Sequence, residues 1–576
     1  MPTIDIDYTK LQQLLNIQFN DDDTEQLDDI LAYVKAEVKS YNKQEATVNI
    51  EFKDTNRPDL WSVEGLTRAL QGYIGQEKGI KPYTLETSNI HVYVSRELYN
   101  IRPYIACAII KNIQLSNTSI RGLMHLQEKL DQTYGNKRQK TSIGIYNLDL
   151  IKPPIEYTTV KPKDITFIPL GFTEKMTPED ILEKHPKGCE YGHITKQHPT
   201  TYPMLFDADG KALSFPPIIN SNDLGKVTET SKNLLIEVTG TIHHAVLNTL
   251  NIVTTMLIDQ GGKAYTTTIH YPDNSKYTQK QETTPNFENH TMQLNIEYTN
   301  KTLGLNLSPK HIIELLQTAG LNTTTQTTTN NNNNNILTVL IPCYRTDIMH
   351  PVDLIEDIAI AYGYNNITPN WRELPTIGKT KPNQPIINLT RDLMIGFGYQ
   401  ETLNTTLTNQ DTLFNKMNTT PTPLIELCNP KVATMTCLRN WLLPELMEFL
   451  SNNKSVEFPQ KIYEIGKTTQ PNTSFETKVQ EDETLAAVTT HPNANFSEIK
   501  SILDSLFTNL GIEWQIENTT HPAFIEGRTG KIIIDNQDIG LIGEISPQVI
   551  ENWKLENPAA AFEINLQKIL DKKLKN

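Results

Sequence analysis

Four carboxylates crowd one short stretch, "YRTDIMHPVDLIEDIAIAYGY" at residues 344–364: Asp347, Asp353, Glu356 and Asp357. Such a set could serve acid–base catalysis, hold a hard cation through oxygen ligands, or do nothing beyond solvating a helix face. If a helix starts near Pro351, Asp353, Glu356 and Asp357 stand at i, i+3 and i+4 on one face. Leu354, Ile355, Ile358 and Ala361 fall on the other, so the helix can pack while turning three carboxylates outward. Asp347 sits just before the helix and can fold back towards its first turn, where negative charge is mildly favoured. Spacing alone favours the solvated face over the metal, because acidic residues on an exposed helix are ordinary. A paired-carboxylate glycosidase is weaker still, since nothing nearby resembles an aromatic sugar platform.

A second set is polar on constrained backbone. "SFPPIINS" carries Ser214 and Asn220, and "LIEVTGT" carries Glu237, Thr239 and Thr241. A carboxylate inside an apolar strand is costly unless paired, so Glu237 is salt-bridged, edge-exposed, or kept there for recognition. The residues alone leave these open. "HPKGCEYGHITKQH" offers Cys189 with His185, His193 and His198; zinc is conceivable, but one thiolate among Pro and Gly reads better as a polar loop. No phosphate-loop, nucleophile-elbow or HExxH motif occurs, and "GFGYQ" lacks the third glycine of a dinucleotide fingerprint.

The elements that must position these groups follow from periodicity. The 576 residues call for several domains. "DTEQLDDILAYVKAEVKSY" places Leu27, Ile30, Leu31, Val34 and Val38 at helical spacing, "ATVNIEF" alternates like a strand, and Ser62 opens a capped helix. "IHVYVS", "YIACAIIKNIQL" and "LLIEVTGT" read as strands; "IRGLMHLQEKLDQTY" and "AVLNTLNIVTTMLIDQ" read as helices. Ser308 and Pro309 begin a helix that Gly320 ends. The Thr/Asn tract 322–335 cannot bury surface and reads as a loop tip or hairpin insertion. Beyond it "MTCLRNWLLPELMEFLSNN" and "NFSEIKSILDSLFTNLGI" are helical, "PQKIYEIGKT" is a strand, and "RTGKIIIDNQDIGLIGEIS" is a hairpin turning at Asp535-Asn536. The expected fold class is α+β and multidomain, divided as 1–85, 86–270, 285–367 and 371–576.

A net charge of −15 argues against a generic nucleic-acid coat, so any RNA contact needs local basic patches such as "GNKRQK" at 135–140 or a basic partner. An exposed loop would look the same. Five scattered cysteines without a CxxC pair suit a reducing compartment. The acidic N-terminus is unlike a signal peptide and no apolar run reaches spanning length, so the expected location is cytoplasmic, with no membrane partner.

Six segments occur in order: "NRPDLWSVEGLTRALQGY", "SIGIYNLDLI", "SFPPIINS", "LIEVTGT", "YRTDIMHPVDLIEDIAIAYGYNNI" and "LIGEISPQVI". Together they resemble the beta subunits of phenylalanyl-tRNA synthetases, in the archaeal and eukaryotic-cytosolic form, over essentially the whole chain. That resemblance implies a B5 module in 285–367 whose Asp347, Asp353, Glu356 and Asp357 bind Mg²⁺ near an alpha subunit. It implies a B3/B4 editing module in 86–270 that hydrolyses tyrosine wrongly attached to tRNA(Phe). Glu237 would read the tyrosine hydroxyl there, with Ser214, Asn220, Thr239 and Thr241 around it. It implies that 371–576 keeps a class II synthetase-like antiparallel sheet without catalytic motifs; "PQKIYEIGKT" has no arginine for ATP phosphates, and Arg439 and Arg528 are isolated and read as structural. The implied partners are the alpha subunit in an α₂β₂ tetramer, which binds ATP and L-phenylalanine, and tRNA(Phe). Neither a C-terminal anticodon-binding domain nor an inserted oligonucleotide-binding barrel is expected. Two other classes stay in view: a stand-alone deacylase of mischarged tRNA and a noncatalytic RNA-binding scaffold.

Overall fold

The computed structural model describes residues 2–19, 24–198, 200–273, 280–324, 335–369 and 376–575. Most of the Thr/Asn tract, 325–334, lies outside the described residues. The chain divides into two compact units, Met1–Trp371 and Arg372–Asn576, each α+β.

The first unit opens with a three-stranded antiparallel sheet in which Thr47–Phe52 lies between Thr3–Asp7 and Ala36–Asn42. The expected helix over 23–41 breaks here. It runs only over Glu25–Leu31, tightens through Ala32–Val34 and ends at Lys35, whose φ of 53° turns the chain into a strand. Val38 thus aligns with Ile50 in the sheet, so tertiary pairing overrides the helical spacing. The helix Val63–Tyr73 starts as expected, with Ser62 Oγ accepting from Gly65 N.

An eleven-stranded sheet follows. At its heart Leu234–Gly240 runs antiparallel between Tyr104–Lys111 and Thr141–Asn147, and every residue of it is buried. Ile236 and Val238 join the core under the helices Asn117–Gln132 and His243–Asp259, while Leu235 faces a second core on the other side. Glu237 shares that second face. The stretch around Cys189 forms no loop: Pro186–Thr195 is a helix, with His185 Nδ1 accepting from Lys187 N at its start. A buried Tyr191 on it explains why a sequence with Pro and Gly still packs.

The last part of this unit is a three-stranded sheet, His290–Asn295, Ile336–Ile341 and Asn322–Thr324, packed by helices. Ser308 caps Pro309–Thr318 and Gly320 takes φ 78° after it. Pro351–Tyr362 is the helix that carries the acidic residues.

The second unit is built on a seven-stranded sheet, antiparallel except for the edge pair of Gln400–Glu401 with Gln460–Pro471. The hairpin Phe524–Ile534 and Gln537–Ile545 turns at Asp535 and Asn536, both with positive φ, as a two-residue turn demands. Only Leu443–Asn452 of the expected 435–453 helix is helical; Cys437–Leu438 pairs with Leu407–Thr408 instead.

Candidate functional site

Glu237 is 2% exposed and borders a cavity of about 440 Å³. The register places it opposite Gly144, two residue pairs along from the pair of Leu235 with Tyr146. Tyr146 Oη lies 2.6 Å from Glu237 Oε2 and 2.8 Å from Ser214 Oγ. The phenol has one proton, which goes to the carboxylate, so Ser214 supplies the other hydrogen. Glu237 Oε1 has no hydrogen-bond partner among the described residues. Burial pushes the carboxyl up to about 7, against the pull of Tyr146, Arg102 and Thr239. A buried acceptor without a donor costs about 1–3 kcal/mol, so it is either wet or waiting for one.

Gly144 makes this arrangement possible. A Cβ there would collide with both Tyr146 Oη and Glu237 Oε2. Gly144→Ala is therefore expected to separate the phenol from the carboxylate. A structure of the variant should show these two oxygens beyond hydrogen-bond distance, more than about 3.5 Å apart, while the fold's circular dichroism is retained; an unchanged contact would show that the glycine is not needed for it.

The five expected residues do not all meet. Ser214, Asn220 and Glu237 line the cavity, and Asn220 Nδ2 donates to Ile145 O at 3.4 Å. Thr239 lies behind it: its hydroxyl accepts from the buried Arg102 Nε at 3.0 Å and contacts Ser142 at 3.2 Å. Thr241 does not line the cavity and donates to Gln139 O at 3.1 Å. Tyr146 and Arg102, unremarked in the sequence reading, organise Glu237 and Thr239. "SIGIYN" has the small–large alternation of a strand, which would have put Ser142, Gly144 and Tyr146 on one face. Its partner strand could not be read from that.

The acidic stretch is also less exposed than expected. All four carboxylates line a small cleft of about 40 Å³ with Lys35, Asp54 and Arg57. Asp357 turns inward, 8% exposed, and accepts from Arg345 Nη2 at 2.8 Å. Arg345 also grips Asp347 with two bonds, 2.8 and 2.7 Å, and Arg57 stands 3.6 Å from the same carboxylate. Burial alone would raise Asp347; Arg345 and Arg57 hold it well below the usual carboxylate range. Asp353 caps its helix by accepting from Met349 N and His350 N, both at 2.8 Å. Exposed Glu356 pairs with Lys35 at 2.7 Å. The three carboxylates of the helix thus have three different environments, not one solvated face. Arg345 had to be buried beside the helix to draw Asp357 in.

Oxygen-only donors around an ion-sized cleft suit a hard cation. Among the described residues, however, no three acidic, His or Cys side chains close on one point. Mg²⁺ commonly keeps several waters and takes one or two carboxylates; Asp54, Asp353 and Glu356 are the three at the cleft not held by a guanidinium, with Lys35 pairing with Asp54 and Glu356. On that basis the residues fit a hydrated ion.

In the second unit Arg439 has the structural role expected of it. Its Nη1 meets Glu464 Oε1 at 2.7 Å, and the two are 2% and 0% exposed. Arg528 pairs with Glu544 at 2.6 Å. Neither guanidinium is presented as a free phosphate ligand.

A multidomain α+β chain with a large antiparallel sheet, a cavity beside a buried carboxyl and an acidic cleft matches two family models of aminoacyl-tRNA synthetases. One, the phenylalanyl tRNA synthetase beta chain CLM domain, covers residues 367–566; the other, the tRNA synthetase B5 domain, covers 292–364. The chain is 41% identical over 569 residues to the phenylalanine–tRNA ligase beta subunit of Pyrococcus furiosus, spanning 98% of this chain and 99% of that one. It is 38% identical to that of Methanocaldococcus jannaschii, spanning 98% and 100%. A crystal structure of an N-terminal fragment of the Pyrococcus horikoshii phenylalanyl-tRNA synthetase beta subunit superposes with a TM-score of 0.58 at 37% identity, covering 63% of this chain and all of the fragment. The chain belongs to the family of phenylalanine–tRNA ligase beta subunits, aminoacyl-tRNA synthetase ligases. Among the described residues no helix is long and apolar enough to cross a membrane.

Proposed function

We propose that this chain is the assembling and editing partner of an alpha subunit in an α₂β₂ enzyme that joins L-phenylalanine to tRNA(Phe) with ATP in the cytoplasm. The alpha subunit carries aminoacylation. This chain hydrolyses tyrosine wrongly esterified to the tRNA, in the cavity beside Glu237. The single observation that carries the editing reading is the unpaired Glu237 Oε1 at a cavity large enough for an aromatic side chain. A carboxylate there accepts the tyrosine O–H; phenylalanine offers nothing and leaves the acceptor bare. Hydrogen-bonding sites reject analogues lacking the group far better than apolar pockets reject an extra hydroxyl. That is why a second, polar sieve is useful after a Phe pocket. Pairing with alpha is supported by the family, and the division into 1–85, 86–270, 285–367 and 371–576 by the three sheets of the first unit and the separate second unit.

In this reading Asp347, Asp353, Glu356 and Asp357 would hold Mg²⁺ in the acidic cleft. Its contribution is to neutralise the cleft and stiffen the join to alpha. Asp353→Ala with Glu356→Ala should at least halve the magnesium retained by the purified α/β complex after gel filtration, measured by elemental analysis. Unchanged metal content would return the cleft to a set of internal ion pairs.

The test of the whole reading is gel filtration of the chain with and without the alpha subunit, followed by charging and tyrosyl-tRNA deacylation assays. We expect a stable complex, charging that needs both chains, and deacylation by the complex. Charging by this chain alone, or a complex that leaves tyrosyl-tRNA intact, would defeat it.

A further inference from the structure

The basic loop 135–140 has an unusual backbone. Asn136, Lys137 and Arg138 take φ of 49°, 52° and 65° in succession. Left-handed non-glycine residues cost of order 1 kcal/mol or more each and persist only where surroundings hold them. Here they are held: Arg138 N donates to Asp131 O at 2.9 Å, and Arg138 O accepts from the buried Arg102 Nη1 at 3.1 Å. The result is a guanidinium fixed at the border of the Glu237 cavity. Arg138 Nη1 donates to Pro217 O at 3.0 Å and Ile218 O at 2.9 Å, and Nε stands 3.2 Å from buried Asp131. Its Cζ lies 4.5 Å from the Tyr191 ring centre. Nη2 makes no hydrogen bond among the described residues, so its two N–H groups are available.

Two further cations line the same cavity, Lys187 and Lys226. Lys187 is partly balanced by Glu128 at 3.8 Å and Glu190 at 3.4 Å. Lys226 is exposed and has no partner among the described residues. Side-chain exposure rises from Glu237, 2% exposed as a residue, through Arg138 at 15% to Lys187 at 33%. The cavity therefore has a carboxylate floor and a rim of three cations, Arg138, Lys187 and Lys226, against one exposed carboxylate, Glu128. An aminoacylated RNA end has the matching order: side chain, ester, ribose, phosphate.

We propose that Arg138, assisted by Lys226, is the phosphate-binding group of this cavity and holds the phosphodiester next to the esterified terminal ribose. The proposal rests on the editing reading. A guanidinium already fixed by two carbonyls beside a carboxylate needs no reordering when phosphate arrives, and it offers the N–H groups of Nη2. Lys226 adds an unpaired charge at the mouth.

The test uses the α/β complex and two substrates: tyrosyl-tRNA, and 3′-tyrosyl adenosine, which keeps the ester and ribose but has no phosphate. Arg138→Met should raise KM for tyrosyl-tRNA roughly 10- to 30-fold with kcat within about twofold, while hydrolysis of 3′-tyrosyl adenosine stays at the wild-type rate. Arg138→Lys should recover part of the loss. Lys226→Met, an exposed change with no partner to strand, should raise KM about threefold and lower the slope of log KM against log salt by about 0.7. Equal losses on both substrates, or unchanged KM in both variants, would overturn the assignment while leaving the editing reading standing. Absence of hydrolysis by the wild-type complex would remove both.

Discussion

Glu237→Ala in the assembled complex is expected to cut hydrolysis of tyrosyl-tRNA roughly 100-fold, and Glu237→Gln roughly 10-fold, with phenylalanine charging unchanged. The gradation follows from the bond. A hydrogen bond to a charged acceptor contributes about 1.5–3 kcal/mol and a neutral one about 0.5–1.5, and each 1.36 kcal/mol is a factor of ten. Glutamine can still take the Tyr146 proton but turns an uncharged amide to the cavity. The ratio of tyrosyl to phenylalanyl hydrolysis should also depend on pH. Burial raises the Glu237 carboxyl to about 7, so the accepting carboxylate dominates above that pH and is lost as the pH falls through it. Discrimination should be greater at pH 8 than at pH 6. The sign for folding is opposite: the raised carboxyl ionises at a cost to the native state, so its contribution worsens as pH rises from its ordinary 4.5 to about 7. Deacylation rates that ignore both substitutions would dismiss Glu237 as the reader and leave a noncatalytic role.

Arg439→Met is expected to give the largest loss of stability, about 3–5 kcal/mol, because it strands the Glu464 carboxylate where no water reaches it. Arg439 Nε also donates to Lys467 O at 3.1 Å, and Asn404 Nδ2 to Glu464 Oε2 at 2.7 Å, so the pair anchors the strand Gln460–Pro471 to its surroundings. Gly466 leaves the room: a Cβ there would meet Arg439 Nη2. For a unit of this size the expected fall in midpoint is roughly 10 °C, read by calorimetry on the full chain. Adding Glu464→Gln should restore more than half, since removing both charges removes the stranded one. A single variant that melts like the wild type would mean the pair is solvated in practice.

What the sequence made legible was local. Ser308 with Pro309, Gly320, and the Asp535-Asn536 turn each specify their own backbone through a cap, a positive φ or a turn, and each stands where periodicity put it. The helix from Pro351 is of the same kind. The misread parts share a cause: distant partners. Val34 and Val38 fit a helix until the strand Thr47–Phe52 claims Val38. Asp357 sits outward on a helical wheel until a buried Arg345 draws it in. Glu237 stood out as a charge in an apolar strand, but the groups that make it useful, Tyr146 and Gly144, belong to a strand some ninety residues earlier (the Tyr146 bond spans 91 positions). Thr239 shares the face of Glu237 by alternation, but the Arg102 side chain occupies its hydroxyl and Gln139 O takes the hydroxyl of Thr241.

The ion pair between Lys35 and Glu356 spans 321 positions, and Thr346 Oγ1 donates to Asn56 O across 290. Chains are made from the N-terminus at about 5–20 residues per second, so Lys35 and Arg57 leave the ribosome roughly 15–60 s before their distant partners Glu356 and Asp347 exist. During that interval Lys35 and Arg57 are held only by the local carboxylates Asp54 and Asp59. Completion of the first unit is thus a late, post-assembly event in synthesis, timed by the arrival of the segment around Arg345. A ribosome stalled before residue 345 should present an N-terminal sheet that is folded yet still open to proteases at the Lys35–Arg57 side.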